Sequence, residues 1–325
     1  MTERQDIAAV VIGRNEGARL IGCLRSLAGQ GARLVYVDSG STDDSVAEAR
    51  KLGAEVVELD QSVPFTAARG RNAGFDALRG ADLPRFVQFI DGDCRVEPGW
   101  LNAAREALKS NPDLAIVTGW RREMHPDHSV YNAMCDFEWH RPAGEIDTCG
   151  GDMMVRSTAF EQVGGFDPIV IAAEDDEFCI RIRSTGGKIQ RLPHVMTHHD
   201  AAMTRFSQWW KRAERAGHGF AQVGAMHPPH FQRETRRILF YGGVLPLLAL
   251  LGLWLACWLV IVVAAVYALS YVRTAQGLRR EGLARSKALH HALFLSLSKF
   301  PNLIGMIRFY WRRLCGSRMR LIEYK

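Results

Sequence analysis

Two carboxylates one residue apart, Asp91 and Asp93, follow directly on the apolar run of residues 86–90. Such a run is typical of a buried strand in a parallel sheet, and ligands of open α/β sheets bind beyond the carboxyl ends of the strands. Two neighbouring acids repel each other unless a cation lies between them, and their hard oxygens suit Mg²⁺ or Mn²⁺. An isolated Asp-Gly-Asp is more often a solvated turn, but the strand before it and the helix start after it favour a metal site.

Two further clusters carry groups that could do chemistry. Residues 174–177 are four consecutive acids at the start of a predicted helix, where a purely structural role would contribute only about 0.3–1 kcal/mol through the helix dipole. Four acids exceed what that role needs, so a catalytic use is favoured. The second cluster, residues 198–200, is His-His-Asp, and both a metal site and surface histidines in a loop remain open for it.

The elements that position these clusters alternate between strand and helix. Apolar runs predict strands at residues 7–12, 34–37, 54–59, 86–90, 114–118 and 188–192, with helical periodicity between most of them. This order predicts an α/β fold with a doubly wound, mostly parallel sheet. The first strand lacks a G-x-G-x-x-G turn, which argues against a dinucleotide-dependent oxidoreductase. Residues 120–148 lose periodicity and are interpreted as an insertion or lid.

The last third of the chain has a different composition. Residues 238–272 contain no charge over 35 positions, well beyond the ~20 that span a bilayer. One straight helix would be about 50 Å long against a hydrocarbon core of about 30 Å, so we expect a hairpin broken near Gly252, with a single tilted span as the alternative. Arginines flank both ends, which places both in the cytoplasm. Residues 288–314 are basic and aromatic, as in interfacial helices that contact anionic lipids.

Composition indicates the cellular compartment and the domain organisation of the chain. The 325 residues carry a net charge of +6, with acids concentrated in the middle and Arg and Lys towards the end. Seven cysteines without a C-x-x-C pair favour reduced thiols, and no signal-peptide core follows Met1. We therefore expect a cytoplasmic catalytic domain over residues 1–230 and a C-terminal α-helical membrane region over residues 231–325, attached to the inner (cytoplasmic) membrane.

Four motifs occur in a set order: V-V-I-G-R-N-E from residue 10, V-D-S-G-S-T-D from residue 37, D-G-D from residue 91 and E-D-D from residue 174. In this order and spacing the chain resembles the family 2 glycosyltransferases of the GT-A fold over about residues 7–220. The resemblance implies an inverting transfer of a sugar from a nucleotide-diphosphate sugar, assisted by Mg²⁺ or Mn²⁺.

The resemblance also implies roles for individual residues. Asp175 would be the general base, and Asp93 would bind the metal with His199 assisting. Contacts to the nucleotide-sugar are implied for Arg14, Asn15, Glu16, Asp38, Arg71, Asn72, Asp91, Gly151 and Asp152, the last two on the loop at the acceptor side. The chemistry agrees, because the leaving diphosphate needs a stabilising cation and the acceptor hydroxyl needs a separate base.

The chain departs from the family pattern at two places. Ser39 stands where the family usually has a second Asp, and residues 208–212 only loosely match the motif of processive synthases, which favours addition of a single sugar. The expected partners are a nucleotide-sugar, a lipid-linked or glycan acceptor and membrane lipids, without nucleic acid. A sugar nucleotidyltransferase would need a glycine-rich basic loop after the first strand. A non-catalytic membrane scaffold would have lost the metal-binding acid or the base.

Overall fold

The computed structural model describes residues 6–80 and 83–317 of the chain. Within these residues two compact units are distinguished. The first, which we call the sheet unit, runs to Asp127 and resumes from Cys135 to Ala202. The second, the helical unit, comprises His128–Met134 and the residues from Met203 onward.

The sheet unit contains a mixed sheet of nine strands. They are β1 (Ile7–Gly13), β2 (Ala32–Asp38), β3 (Glu55–Glu58), β4 (Phe86–Asp91), β5 (Cys94–Val96), β6 (Leu114–Glu123), β7 (Gly144–Glu145), β8 (Met153–Arg156) and β9 (Lys188–His199). The order across the sheet is β3-β2-β1-β4-β8-β6-β9-β5, with β7 on β9. Strands β1 to β4 are mutually parallel, β6 is parallel to β9, and β8 runs antiparallel between β4 and β6. The predicted α/β class is confirmed.

Seven helices belong to the first 200 residues. They are α1 (Ala18–Leu27), α2 (Ser45–Lys51), α3 (Ala67–Leu78), α4 (Trp100–Ser110), α5 (Val130–Trp139), α6 (Ser157–Gln162) and α7 (Glu174–Ser184). The region from residue 120 to 148, interpreted from sequence as an aperiodic insertion or lid, instead contains the end of β6, helix α5 and strand β7.

The alternation of side chains along β1 explains why this strand is apolar throughout. Ile7, Ala9 and Val11 join one buried cluster, which includes residues of α1 and α4. Ala8 and Val10 point to the opposite face and join a second cluster with α3 and α7. Since successive side chains of a strand point to opposite faces, a strand covered by helices on both sides must be apolar at every position.

Strand β9 is longer than the sequence predicted. The expected strand ended at Leu192 with His199 in a following loop, whereas β9 continues to His199 and pairs there with Cys94 of β5. Pro193 falls where the pairing of β6 with β9 shifts register between Thr118 and Trp120. Because a bulge removes ladder hydrogen bonds locally, it accommodates a proline inside a strand.

The helical unit contains six α-helices and one π-helical segment among the described residues. They are α8 (Phe206–Met226), α9 (Gln232–Ile238), the π-helical segment Leu239–Val244, α10 (Leu245–Leu255), α11 (Cys257–Arg280), α12 (Arg285–Leu297) and α13 (Lys299–Leu314). The sequence placed residues 203–230 with the catalytic domain, whereas here α8 packs tightly on α13. At their crossing a Cβ on Gly217 would overlap the Asn302 carbonyl, and one on Gly305 would overlap the Glu214 carbonyl.

Two helices are long and apolar enough to cross a membrane, by length and composition. They cover Gln232–Leu255 and Cys257–Arg280, 24 residues each. The break between them lies at Ala256, which has an extended backbone (φ −164°, ψ 97°), and not at Gly252 as expected. Gly252 lies instead where the two helices approach, because its Cβ would be 2.9 Å from that of Leu259. The two apolar helices therefore pack closely against each other at Gly252.

Candidate functional site

The Asp-Gly-Asp turn follows the end of β4, as the sequence predicted. The Gly92 amide donates to the Ile12 carbonyl at 2.8 Å. A Cβ on Gly92 would lie 3.2 Å from that oxygen and 3.4 Å from Glu16 Cγ. The missing side chain therefore lets the turn pack against the loop after β1, which brings Glu16 beside the two aspartates.

Asp93, Cys94 and His199 form a buried group whose ligand atoms all lie within 4.8 Å of one another. His199 Nε2 is 3.3 Å from Asp93 Oδ1, and the pairing of β5 with β9 sets His199 opposite Cys94. Burial raises the pKa of the Cys94 thiol well above its ordinary value, and its Sγ lies 3.3 Å from Asp152 Oδ2. The carboxylate and the imidazole are thus the natural ligands, and this donor pair fits a first-row divalent ion such as Mn²⁺.

Arg71 of α3 links two acids from distant parts of the chain. Its Nη1 donates to Glu174 Oε1 at 2.8 Å and its Nη2 to Asp91 Oδ1 at 2.9 Å. Burial of the guanidinium opposes its charge, but Asp91 and Glu174 more than offset this and raise the Arg71 pKa. Arg71 therefore holds the first turn of α7 against the end of β4.

Gly151 is the residue that makes room for Arg71. A Cβ at this position would overlap Arg71 Nη2 and lie 2.8 Å from its Cζ. We expect Gly151→Ala to displace the guanidinium and destabilise the fold by about 1–3 kcal/mol, the usual cost of overpacking. Thermal melting of the purified variant tests this. Gly150→Ala is the matched control, because its Cβ would meet nothing closer than 3.6 Å; equal melting temperatures for both variants would contradict the assignment.

Asp152 ties three strands together beneath the site. Its Oδ1 accepts from the Asp91 amide at 3.2 Å and its Oδ2 from Thr197 Oγ1 at 2.8 Å. Arg121 Nη2 lies 3.1 Å from the same Oδ2. Desolvation raises the pKa of the Asp152 carboxyl, and the Arg121 charge opposes that rise. The sequence singled out Asp152 for the nucleotide-sugar, whereas these contacts give it a role in joining β4, β6 and β9.

Asp175 stands in the first turn of α7, two residues after Ala173, whose φ of 58° is unusual for a residue with a side chain. The Asp176 amide donates to Asp175 Oδ1 at 3.0 Å and fixes the carboxyl. Desolvation, followed by the charges of Glu174 and Asp176, raises the pKa of Asp175 to about 8, and Arg71 opposes the rise. A carboxyl that titrates near neutral pH has the basicity that general acid–base catalysis uses.

The four consecutive acids do not act alike. Glu174 pairs with Arg71. The buried Glu177 forms a bidentate ion pair with Arg181, whose Nε and Nη2 lie 2.7 and 2.6 Å from the two carboxylate oxygens. Glu177 therefore has a structural role, whereas Asp175 accepts a hydrogen bond from the Asp176 amide. The sequence pattern showed the cluster but not this division.

The loops after β1 and β2 are tied to each other. Asp38 Oδ2 accepts from the Gly40 and Ser41 amides at 2.9 and 2.8 Å, and its Oδ1 accepts from the Tyr36 hydroxyl at 2.8 Å. Asn15, with a φ of 55°, accepts from the Thr42 amide at 2.7 Å. Arg14 Cζ lies 4.4 Å from the centroid of the Phe65 ring. The contacts of Asp38 and Asn15 hold both loops in place.

Asn72 differs from its predicted role at the nucleotide. Its Nδ2 donates to the Phe166 carbonyl at 2.7 Å, and its Oδ1 accepts from the Phe166 amide at 2.9 Å. Both ends of the amide are engaged with one backbone unit 94 residues away. This arrangement is that of a residue that holds a loop, and it takes the place of the nucleotide contact predicted for Asn72.

Two residues of the site were missed from the sequence. Arg121 contacts Asp152, and its guanidinium carbon lies 5.3 Å from the centroid of the Trp139 ring. Trp139 also makes an edge contact with the His199 ring at 4.7 Å between centroids. Arg121 follows an apolar strand just as Asp91 does, and this position at a strand end was a usable signal.

Family models match most of the region that contains the site. The model described as "Glycosyl transferase family 2" matches residues 9–163, and the one described as "N-terminal domain of galactosyltransferase" matches residues 129–205. A pre-mycofactocin glycosyltransferase of Mycobacterium tuberculosis is 26% identical over 258 residues, covering 74% of this chain and 51% of that protein. A dodecaprenyl-phosphate galacturonate synthase of Rhizobium johnstonii is 34% identical over 95 residues, covering 27% and 26%. The chain thus spans about half the length of the first relative.

Solved structures share the fold. The mannosyltransferase PcManGT from Pyrobaculum calidifontis, in complex with GDP-Man and Mn²⁺, has a TM-score of 0.62 at 18% identity and covers 96% of this chain and 89% of its own. Glucosyl-3-phosphoglycerate synthase from Mycobacterium tuberculosis, with Mn²⁺, UDP and its product, has a TM-score of 0.50 at 17% identity over 67% and 78%. Together with the family models and the mixed sheet, these similarities confirm the GT-A fold. Residues 9–163 therefore belong to glycosyl transferase family 2.

Proposed function

We propose that the chain transfers a sugar from a nucleotide-diphosphate sugar to a membrane-proximal or lipid-linked acceptor, with inversion at the anomeric carbon and with the help of a divalent metal. The observation that carries this proposal is the separation of two roles within one unit. Asp93 and His199 form a group suited to an ion, while Asp175 is a distinct carboxyl with a pKa raised to about 8.

The residues of the site fit the metal without rearrangement. An ion held by Asp93 and His199 would act as a Lewis acid that balances the negative charge on the departing diphosphate. The imidazole nitrogen favours Mn²⁺ over Mg²⁺, which prefers oxygen ligands alone. Related structures were determined with Mn²⁺ and with GDP-Man or UDP, which supports the same classes of ligand here.

Asp175 is the proposed base for the acceptor hydroxyl. Inversion needs a nucleophile that attacks from the face opposite the leaving group and a base that takes its proton during the attack. Arg71 supports this role as a positioning residue, because it pairs with Glu174, the residue that precedes Asp175. Asp38, Glu16 and Asp91 are proposed to contact the nucleoside part of the donor.

The proposed attachment to a membrane is based on the two apolar helices. We infer that they form a hairpin in the cytoplasmic (inner) membrane, with residues 1–230 in the cytoplasm and α13 in the membrane interface. Trp311 and Leu314 of α13 are exposed, and Arg308, Arg312 and Arg313 share the helix with them. Exposed apolar and basic side chains on one helix suit an interface with anionic lipids. A relative named for dodecaprenyl phosphate supports a lipid-linked acceptor.

The first test measures nucleotide binding by the detergent-purified chain with and without Mn²⁺. We expect UDP or GDP to bind more tightly with Mn²⁺, and Asp93→Ala to remove this gain. Asp93→Ala should weaken Mn²⁺-dependent nucleotide binding by at least ~10–100-fold, the loss in metal affinity that follows when a residue hydrogen-bonded to a metal ligand is removed. Asp76→Ala, at an exposed acid of α3, is the control. A metal-dependent gain of equal size in Asp93→Ala would refute the metal assignment, and no nucleotide binding at all would favour a non-catalytic scaffold.

A further inference from the structure

Arg121 is a strongly held cation of the site that the proposed reaction has not used. It lies on β6, and its side chain is only 16% exposed. Asp152 holds one end of the guanidinium at 3.1 Å, and Trp139 lies against it. These contacts fix the guanidinium in place, so the folded structure determines its position.

Most of the hydrogen-bonding capacity of Arg121 is left over. A guanidinium has five N–H donors, and within residues 6–80 and 83–317 the contact with Asp152 is the one acceptor found for them. Asp152 does not depend on Arg121 alone, since Thr197 and the Asp91 amide also donate to it. Arg121 is thus a fixed cation with free donors, and such a group recognises phosphate or carboxylate with two parallel hydrogen bonds.

Arg121 lies on the same side of the site as the proposed base. The point that a Cβ on Gly150 would occupy is 3.6 Å from Arg121 Nη2 and 3.8 Å from Asp175 Oδ2. Both side chains therefore border the small open space in front of Gly150. An acceptor whose hydroxyl reaches Asp175 brings its neighbouring substituent to Arg121.

From this geometry we propose that the acceptor is anionic, and that Arg121 binds a phosphate or carboxylate group of the acceptor close to its reacting hydroxyl. The inference rests on the proposed glycosyl transfer and narrows the acceptor class. A neutral substituent at this place would leave the Arg121 donors that Asp152 does not take without an acceptor in a largely desolvated position, which is costly. A lipid headgroup and a soluble phosphate ester offer the same chemistry of recognition at this place.

A direct binding measurement tests the anion site without requiring turnover. Inorganic phosphate is titrated into the detergent-purified full chain, saturated with UDP and Mg²⁺, and followed by ³¹P NMR. We expect Arg121→Gln to weaken phosphate binding roughly ten- to a hundredfold, the range for loss of charged hydrogen bonds. Arg121→Lys keeps the charge beside Asp152, so its affinity for phosphate should lie between those of the wild type and Arg121→Gln. Arg122→Gln is the matched control, because Arg122 pairs with Asp136.

The kinetic arm compares acceptors that differ only in the phosphate. Monoacylglycerol phosphate, which keeps a free hydroxyl beside its phosphate, is tested against monoacylglycerol in the same micelles, and glycerol phosphate against glycerol in solution; the first pair reports a lipid source and the second a soluble one. We expect transfer to a phosphate-bearing member. Arg121→Gln should raise the acceptor KM roughly ten- to a hundredfold and leave the donor KM unchanged, a split that a merely structural arginine would not produce.

Failure of this inference differs from failure of the proposed function. Phosphate binding that is lost in Arg121→Gln but not in Arg122→Gln supports the anion site even if no acceptor in the panel is glycosylated. Unchanged phosphate binding in Arg121→Gln overturns the inference, as does transfer that prefers the neutral acceptors. Displacement of phosphate by UDP and Mg²⁺ also overturns it, because Arg121 would then bind the donor diphosphate.

Discussion

Asp175→Asn is expected to lower the rate of sugar transfer roughly 10²–10⁴-fold, the usual contribution of a positioned general base, while nucleotide binding is retained. The amide keeps the shape of the carboxyl but cannot accept the proton of the acceptor. Steady-state transfer from a radiolabelled donor measures the rate, and calorimetry with UDP and Mn²⁺ measures binding. A rate near that of the wild type would mean that the nucleophile needs no proton acceptor at this position.

The pH profile gives an independent readout for the same residue. Asp175 has a pKa of about 8 and must be ionised to act as a base, so the rate of the wild type should rise with pH and level off above about 8. Asp176→Asn is the informative control. It keeps the base but removes a charge that raises the Asp175 pKa, so its rise should lie at lower pH.

Melting curves of Asp175→Asn separate loss of the base from loss of the fold. The pKa of Asp175 is about 8 in the folded chain and about 3.9 in an unfolded one. The folded state therefore binds the extra proton between these values, and the resulting stability is complete below pH 4 and lost as the pH rises through 8. Asp175→Asn should consequently melt at a higher temperature than the wild type above pH 8.

Arg71→Leu is expected to destabilise the sheet unit by about 3–5 kcal/mol, because it leaves the buried Glu174 without its cation. Transfer should be lost as well, since the start of α7 would no longer be held against β4. Thermal melting followed by the near-ultraviolet circular dichroism of the full chain in detergent measures the stability.

A double variant distinguishes the buried pair from simple loss of packing. Arg71→Leu with Glu174→Leu removes the buried ion pair and leaves the part-exposed Asp91 without Arg71. Replacing a buried ion pair by apolar residues is often neutral or stabilising. We therefore expect the double variant to regain much of the melting temperature and none of the activity. A double variant as unstable as Arg71→Leu alone would show that the cost comes from lost packing around α3.

The part of the fold that could be predicted from sequence is the part determined by local pattern. Strands β1, β2 and β4 are continuous apolar runs because helices cover both faces, and a run of this kind is visible in the sequence. The end of β9 was not visible in this way. Its last residues form a strand because β5 pairs with them, about a hundred residues earlier in the chain, and Pro193 argues against a strand unless the bulge is known.

At the candidate site, too, only the residues that stand in a local sequence pattern could be predicted. Asp91, Asp93 and Asp175 could be proposed as site residues because acids stand directly after a strand or at the start of a helix. Asn72 could not be assigned correctly, since its partner Phe166 lies 94 residues away and has no pattern of its own. Arg121 was overlooked because one arginine after a strand is common, and its meaning depends on Asp152 and Gly150 across the sheet.

The close crossing of α8 and α13 has a consequence for the order in which the chain is made. From the end of α8 at residue 226 to the end of α13 at residue 314 the ribosome must add 88 residues. At about 5–20 residues per second this takes roughly 4 to 18 seconds. During that time the sheet unit is already complete, but Gly217 on α8 has no partner backbone, and both apolar helices emerge before it gains one. The newly made chain therefore leaves this face of α8 open until both apolar helices and α13 have been made.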